Sequence, residues 1–250
     1  MDVLWPTNCR TKNDQQVTKS ETMVTKVCVT IAQSSPRKIL KELQIALANS
    51  DYAELRLDFL KPNQIPFCLN LVKKHLKRCI CTLRPKTEGG RFQGTEKERI
   101  SILKLIAEYD PYLLDVEYNT LKRDKELQKY FKITKTNILV SWHDFAKTPK
   151  DQVLRSMLQK MSKFSDHVKI VTTARTIGDT IRILSLYKIN TKKIKLISFA
   201  MGDFGRMSRI LCSKLGSPYT YVSLGKPVAP GQFSLKEMKN IVALEDRNQS

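Results

Sequence analysis

Eight short apolar runs alternate with longer amphipathic ones along the chain, and this alternation limits the fold more than any other feature. The runs are VTKVCVTIA (Val24 to Ala32), YAELRLD (Tyr52 to Asp58), RCICTL (Arg78 to Leu83) and YLLDVEY (Tyr112 to Tyr118). They continue with NILVSWH (Asn137 to His143), HVKIVTTA (His167 to Ala174), IKLISFAM (Ile194 to Met201) and YTYVSL (Tyr219 to Leu224). Each is rich in Val, Ile, Thr or aromatic residues, whose side chains suit a pleated, buried surface. Between them, Pro36 to Asn49, Thr95 to Glu108, Lys150 to Lys163 and Thr176 to Tyr187 carry apolar residues at helical spacing. Strands joined through helices run parallel. Eight such units in 250 residues fit one closed (β/α)8 TIM barrel, typically about 250 residues long. An open parallel sheet is the alternative. No low-complexity linker divides the chain. The expected organisation is a poorly ordered polar leader over residues 1–22, then a single barrel domain over residues 23–250.

Hydrophobic residues make up 41% of the chain, enough for a core and too many for a disordered polymer. No apolar run reaches the roughly 18 residues that a membrane-spanning helix needs. The opening MDVLWPTNCRTKNDQQ has no apolar signal core. A reducing, cytoplasmic compartment is therefore expected, with the six cysteines as free thiols. Cys79 and Cys81 share a strand face, but no C-x-x-C pair or metal-ligand spacing occurs. The formal charge is +20. Its lysines and arginines are scattered, as in LVKKHLKR (Leu71 to Arg78), and no nucleic-acid-binding motif accompanies them. A solvated basic surface that steers a small anion is the expected reading, with no nucleic-acid partner.

Strand alternation makes some of the polar residues informative. In ELRLD, Glu54, Arg56 and Asp58 share one face, and in LLDVEY so do Asp115 and Glu117. The apolar face of a barrel strand must meet the outer helices, which sends these charges inward to a polar site. A salt-bridged exposed edge is the competing account. Lys169 interrupts the β-branched run HVKIVTTA. Either it is a desolvated nucleophile, or it snorkels to the strand end. Of the three histidines, His75 lies in a basic stretch and His167 is read as facing away from Lys169. His143, ending the fifth strand, is placed for proton transfer, or is a satisfied structural histidine. The loop TLRPKTEGGRFQG brings Arg84 and Glu88 to a strand-to-helix turn. Its glycines would serve an ordinary turn equally well.

Taken in order, these segments resemble the type I 3-dehydroquinate dehydratases of the shikimate pathway. The matching pieces are E-L-R-L-D at Glu54, T-L-R-P-K-T-E-G-G at Thr82, D-V-E at Asp115 and S-W-H-D-F-A-K-T-P at Ser141. V-K-I at Val168, M-G-D-F-G-R-M-S-R at Met201, L-G-S at Leu215 and A-P-G-Q at Ala229 follow. The resemblance implies a lyase that dehydrates 3-dehydroquinate to 3-dehydroshikimate through a Schiff base on Lys169. It makes His143 the general acid/base and Glu88 the acid that orients it. It places Glu54, Arg56 and Arg84 at the ring hydroxyls, and Arg209 and Gln232 near the carboxylate and reacting hydroxyl. Met201 and Tyr221 become pocket walls, with Tyr221 in place of a more usual Phe. Thr30 stands where some members carry Ser. Val228 precedes A-P-G-Q where bacterial members often carry Ser. No cofactor or metal is implied. A homodimer is expected, and some members are fused to shikimate dehydrogenase, although no G-x-G-x-x-G fingerprint occurs here. Two rival functions remain: a lysine-dependent aldolase-type barrel, and a non-enzymatic nucleic-acid-binding protein suggested by the charge.

Overall fold

The computed structural model describes residues 25–190 and 194–247; the leader and Cys9 lie outside the described residues. The chain order is β1 (Val27–Ile31), α1 (Pro36–Leu47), β2 (Tyr52–Arg56), α2 (Ile65–Val72), β3 (Cys79–Thr82), α3 (Glu96–Glu108) and β4 (Leu113–Glu117). There follow α4 (Tyr118–Arg123), α5 (Lys125–Ile133), β5 (Ile138–Asp144), α6 (Asp151–Met161), β6 (His167–Thr173), α7 (Ile177–Leu184) and α8 (Leu186–Ile189). The last elements are β7 (Lys195–Met201), α9 (Ser208–Lys214), β8 (Thr220–Ser223), β9 (Phe233–Ser234) and α10 (Leu235–Arg247). Every expected strand forms. Helix starts follow the capping chemistry. Thr95 and Glu98 close a reciprocal capping box on α3, Thr176 and Asp179 do the same on α7, and Pro36 opens α1.

All strand pairings are parallel, in the order β7-β6-β5-β4-β3-β2-β1-β8-β9. The sheet curls into a barrel, and solved barrels superpose on it, as reported below. The expected closure is incomplete: among the described residues no hydrogen-bonded ladder joins β7 to β8. Instead β8 takes a second partner that pattern reading missed, the two-residue β9, whose Phe233 and Ser234 face Val222 and Ser223. A pair of residues is too short to show a period.

The pleat sorts side chains into two compartments. Outward residues such as Val29, Leu55, Cys81, Val116, Val140, Ile170 and Ala200 join the core under the helices. Inward residues at the closed end of the barrel are apolar: Cys28, Ile80, Leu113, Leu139, Ile197 and Tyr219. Tyr52 and Tyr112 stack there at 4.6 Å. One level higher the interior turns polar, with Thr30 opposite Glu54 in register, Thr82 opposite Asp115, and Ser141 opposite Lys169. The five described cysteines are all free and buried, as small hydrophobes.

Two strand readings need correction. Asp58 does not share the inward face of Glu54 and Arg56, because β2 stops at Arg56 and Leu57–Phe59 form a 3-10 turn. There Asp58 accepts two hydrogen bonds from Arg56, both 2.8 Å, and pins that guanidinium from behind. His167 does not face away from Lys169. Residues two apart on a strand share a face, so His167 lies on that side too, at the N-terminal end of β6, paired with Asp166 at 2.8 Å.

Buried charge ties helix to barrel. Arg99, 1% exposed on α3, donates to Glu117 of β4 at 2.7 Å, to Thr120 at 2.5 Å and to Glu96 at 2.7 and 2.8 Å. Breaking a buried pair from one side strands its partner and costs about 3–5 kcal/mol. Glu117 keeps a second arginine, so Arg99→Ala should cost about 3 kcal/mol, read as a lowered urea midpoint. A midpoint within error of the parent would show that Arg99 does not brace the barrel.

Candidate active site

A cavity of about 180 Å³ opens at the C-terminal ends of the strands, where barrel enzymes carry their sites. Its volume is that of about six liquid waters, which suits a small metabolite. All eleven residues singled out from the sequence line it. They are Thr30, Glu54, Arg56, Arg84, Glu88, His143, Lys169, Met201, Arg209, Tyr221 and Gln232. A larger surface cleft of about 810 Å³ lies outside the barrel wall, against Arg99, Asn119 and Arg123. It touches Glu88 from behind but reaches neither Lys169 nor His143.

Lys169 stands in the middle of β6 and is 6% exposed. It does not snorkel. Its Nζ lies 3.4 Å from Asp115 Oδ2, 3.6 Å from Glu54 Oε1 and 4.2 Å from the centre of the Tyr221 ring. The carboxylates are themselves fixed. Glu54 accepts from Thr30 Oγ1 at 3.1 Å and from Thr82 Oγ1 at 2.9 Å. Asp115 accepts from Ser141 Oγ at 2.6 Å and from Arg84 Nη2 at 2.7 Å. Burial would raise the Asp115 carboxyl, but Arg84 and Lys169 override it and hold it well below the usual range. Arg84 also donates to Glu117 Oε1 at 2.7 Å and to Ser141 Oγ at 2.6 Å. Its guanidinium is therefore spent on the barrel wall, although it borders the cavity.

His143 comes from the end of β5. Burial, reinforced by Arg84 and Lys169, holds its imidazole neutral, well below the usual histidine value. Its Nδ1 lies 3.5 Å from Glu88 Oε2, and Phe145 stacks on the ring at 5.8 Å. Burial, then the Glu117 charge, push the Glu88 carboxyl up to about 7. Glu88 is presented by a 3-10 turn (Lys86–Glu88) that both glycines require. Gly89 has φ +74°, and any Cβ at Gly90 would overlap the Arg84 carbonyl. Gly89 serves the turn, Gly90 allows the close approach to Arg84, and together they set Glu88 at the cavity wall.

Arg209, on α9, is 2% exposed and has no ion pair among the described residues. It donates to the Pro230 carbonyl at 3.1 Å, stacks over Phe199 at 4.3 Å, and leaves Nε with no partner. Burial lowers it to about 10, so it is still a cation at neutral pH. Gln232 donates to Thr30 Oγ1 at 3.2 Å and accepts from the Val228 N–H at 2.9 Å. Val228 borders the cavity without a hydroxyl. Ser141 was missed as a site residue, and Asp115 was read as inward-facing but given no role beside Lys169. The inward pairing of Asp115 and Glu117 was readable, but only the register shows Ser141 beside Lys169.

Among the described residues no cluster of three or more His, Cys, Asp or Glu is arranged to hold a metal ion, and no helix is long and apolar enough to cross a membrane. A family model described as Type I 3-dehydroquinase matches residues 27–249. A 3-dehydroquinate dehydratase of Dehalococcoides mccartyi strain 195 is 37% identical over 218 residues, 86% of this chain and 93% of that protein. The crystal structure of 3-dehydroquinate dehydratase from Geobacillus kaustophilus superposes with TM-score 0.81 at 21% identity, covering 90% of this chain and 92% of that one. A type I 3-dehydroquinate dehydratase from Clostridium difficile, solved with covalent modified comenic acid, gives TM-score 0.78 at 25% identity, covering 90% and 93%. A family match across nearly the whole barrel, with relatives above 30% identity, leaves one conclusion: this chain belongs to the type I 3-dehydroquinase family.

Proposed function

We propose that this enzyme removes water from 3-dehydroquinate through an imine on Lys169. The observation that carries the reading is a buried lysine amine between two fixed carboxylates, in one small cavity with a neutral histidine and an uncompensated arginine. Lys169 Nζ attacks the ring ketone, and the carbinolamine loses water to give a protonated imine. That cation forms between Asp115 and Glu54 and beneath the Tyr221 ring, groups already in place before charge develops. The imine makes the neighbouring C–H acidic, and neutral His143 takes that proton. The resulting enamine expels the hydroxyl β to the former carbonyl, to which protonated His143 returns the proton. Water then hydrolyses the product imine and frees Lys169. One water is lost overall.

Arg209 supplies recognition. A buried guanidinium lacking an anion is costly unless a ligand completes it, and its planar fork matches a carboxylate. Glu54, Arg56 and Gln232 offer hydrogen bonds to ring hydroxyls, and Met201 and Tyr221 wall the ring. A homodimer working in the cytoplasm completes the reading. The aldolase-type rival fits less well: the cavity presents the strand lysine together with a histidine held by Glu88, as a C–H proton transfer requires.

Borohydride added during turnover of 3-dehydroquinate should fix the substrate skeleton on Lys169, located by peptide mass mapping. An adduct on another lysine, or none, sinks the imine mechanism. His143→Ala should reduce kcat about 100-fold to 10,000-fold while the protein still folds.

Glu88 predicts the pH profile. Below about 7 its carboxyl is protonated and exerts no charge on the imidazole; above it the carboxylate can accept the Nδ1–H and leave Nε2 as the base. The kcat/KM value should therefore rise as pH increases through about 7. Glu88→Gln should flatten that rise, and an unchanged inflection would assign it elsewhere.

Arg209→Ala removes a charge-assisted hydrogen bond of roughly 1.5–3 kcal/mol, so KM should increase about one to two decades. Arg209→Lys should recover only part of this, lacking the fork. An unchanged KM in Arg209→Ala would show that the carboxylate binds elsewhere.

A further inference from the structure

Among the described residues, Glu88 alone lines both the catalytic cavity and the larger cleft outside the barrel wall. Its carboxyl is the partition between the two, and its two oxygens have different partners. On the cavity side Oε2 lies 3.5 Å from His143 Nδ1. On the cleft side Oε1 accepts from Asn119 Nδ2 at 3.3 Å. Among the described residues no other hydrogen bond or ion pair reaches this carboxyl.

Of the two partners on the cleft side, the asparagine is the fixed one. Asn119 is the second residue of α4, which starts where β4 ends. Both of its chain neighbours are buried and anchored. Tyr118 packs edge-on against Phe164 at 5.9 Å, and Thr120 accepts from Arg99 at 2.5 Å. Glu88 reaches toward it from a 3-10 turn followed by two glycines. The last torsion of a glutamate is broad and its two oxygens are equivalent. A single donor on Oε1 therefore selects the rotation that turns Oε2 to the imidazole. An amide donates without titrating, so this hold persists at every working pH.

We infer that Asn119 is a positioning residue for the Glu88–His143 pair, holding one carboxylate oxygen so that the other faces Nδ1. The inference rests on the proton-transfer role proposed for His143. A donor to an ionised carboxylate also favours its charged form. The groups around Glu88 pull both ways: burial and then Glu117 of β4 push it up, Arg84 after β3 and then Asn119 oppose them, and Asp115 of β4 adds to the rise, leaving it at about 7. His143 of β5 faces it as a neutral ring. Around the cleft, Glu96 and Arg99 of α3 are paired with each other. Arg123 of α4 and Asp124, Lys125 and Glu126 at the start of α5 line the cleft without an ion pair to Glu88. Arg84 cannot be removed without stranding Asp115 and Glu117. Asn119 is exposed, so its side chain can be replaced while the barrel wall stays intact.

The test is the pH profile of kcat/KM with 3-dehydroquinate. In Asn119→Ala the rise near 7 should move up by about one pH unit, the worth of one hydrogen bond to an ionised group. That is about a fivefold loss at pH 7, mostly recovered at pH 9. Asn119→Asp, which puts a second carboxyl where the donor stood, should move the rise further. In a Glu88→Gln background, Asn119→Ala should leave the profile unchanged. Nitrogen NMR of the His143 imidazole in the ligand-free enzyme reads the same event without substrate: the pH at which the proton settles on Nδ1 should move up equally. A profile lowered alike at every pH, with its midpoint unmoved, overturns the positioning role, and flattening by Glu88→Gln then leaves the reaction reading standing. If Glu88→Gln does not flatten the profile, the reaction reading falls and the NMR midpoint decides for Asn119: unmoved, it overturns the inference. Should Asn119→Ala lose its fold, Asn119→Asp decides by the same criterion.

Discussion

A connected run of buried charges crosses the wall of this barrel: Lys169, Asp115, Arg84, Glu117 and Arg99, each within 3.4 Å of the next. Charges removed from water are tolerated only when geometry compensates them, and here each carboxylate meets a cation with a defined donor. Strands β4 and β6 carry Asp115, Glu117 and Lys169, Arg84 follows β3, and Arg99 reaches in from α3, so folding brings the set together. The same set then fixes everything above it. Asp115 and Glu54 hold the Lys169 amine; burial, reinforced by Arg84 and Lys169, keeps the His143 ring neutral, and burial together with Glu117 raises Glu88. Fold and electrostatics are one construction, because the groups that tune the cavity are the groups that close the wall.

Much of this was legible in the chain itself. A strand has a period of two, so Glu54 and the pair Asp115 and Glu117 had to be either solvated or buried together. Apolar Leu55 and Val116 on the opposite face decided for burial. Lys169 among β-branched residues carried the same logic. The limits were equally physical. Period alone could not say where β2 ends, so Asp58 was carried one turn too far. Ser141 looked like any strand serine until parallel register set it beside Lys169. Arg99 falls within the helical stretch Thr95 to Glu108 and drew no reading, since nothing local records that Glu117 sits beneath it. Gly90 looked like turn punctuation, whereas its role is the close approach of the Arg84 carbonyl.

Arg84 and Arg209 show how a structure separates a charge that builds from a charge that binds. Both are nearly inaccessible and both border the same cavity. Arg84 meets two carboxylates at 2.7 Å and is driven further toward its charged form, against burial. Arg209 meets a carbonyl and an aromatic face, leaves Nε without a partner, and is lowered by burial to about 10. A folded chain tolerates a bare buried cation only at a cost. That cost is offset when an anion arrives, so the deficit is itself a measure of ligand selectivity: a neutral ring analogue would leave it standing. The unpaired cation comes from α9, whereas the paired cations Arg84 and Arg99 follow β3 and sit on α3. In the proposed reaction the carboxylate would lie against Arg209 and the reacting carbon over the strands that carry Lys169 and His143, so the arginine without a partner would set substrate orientation.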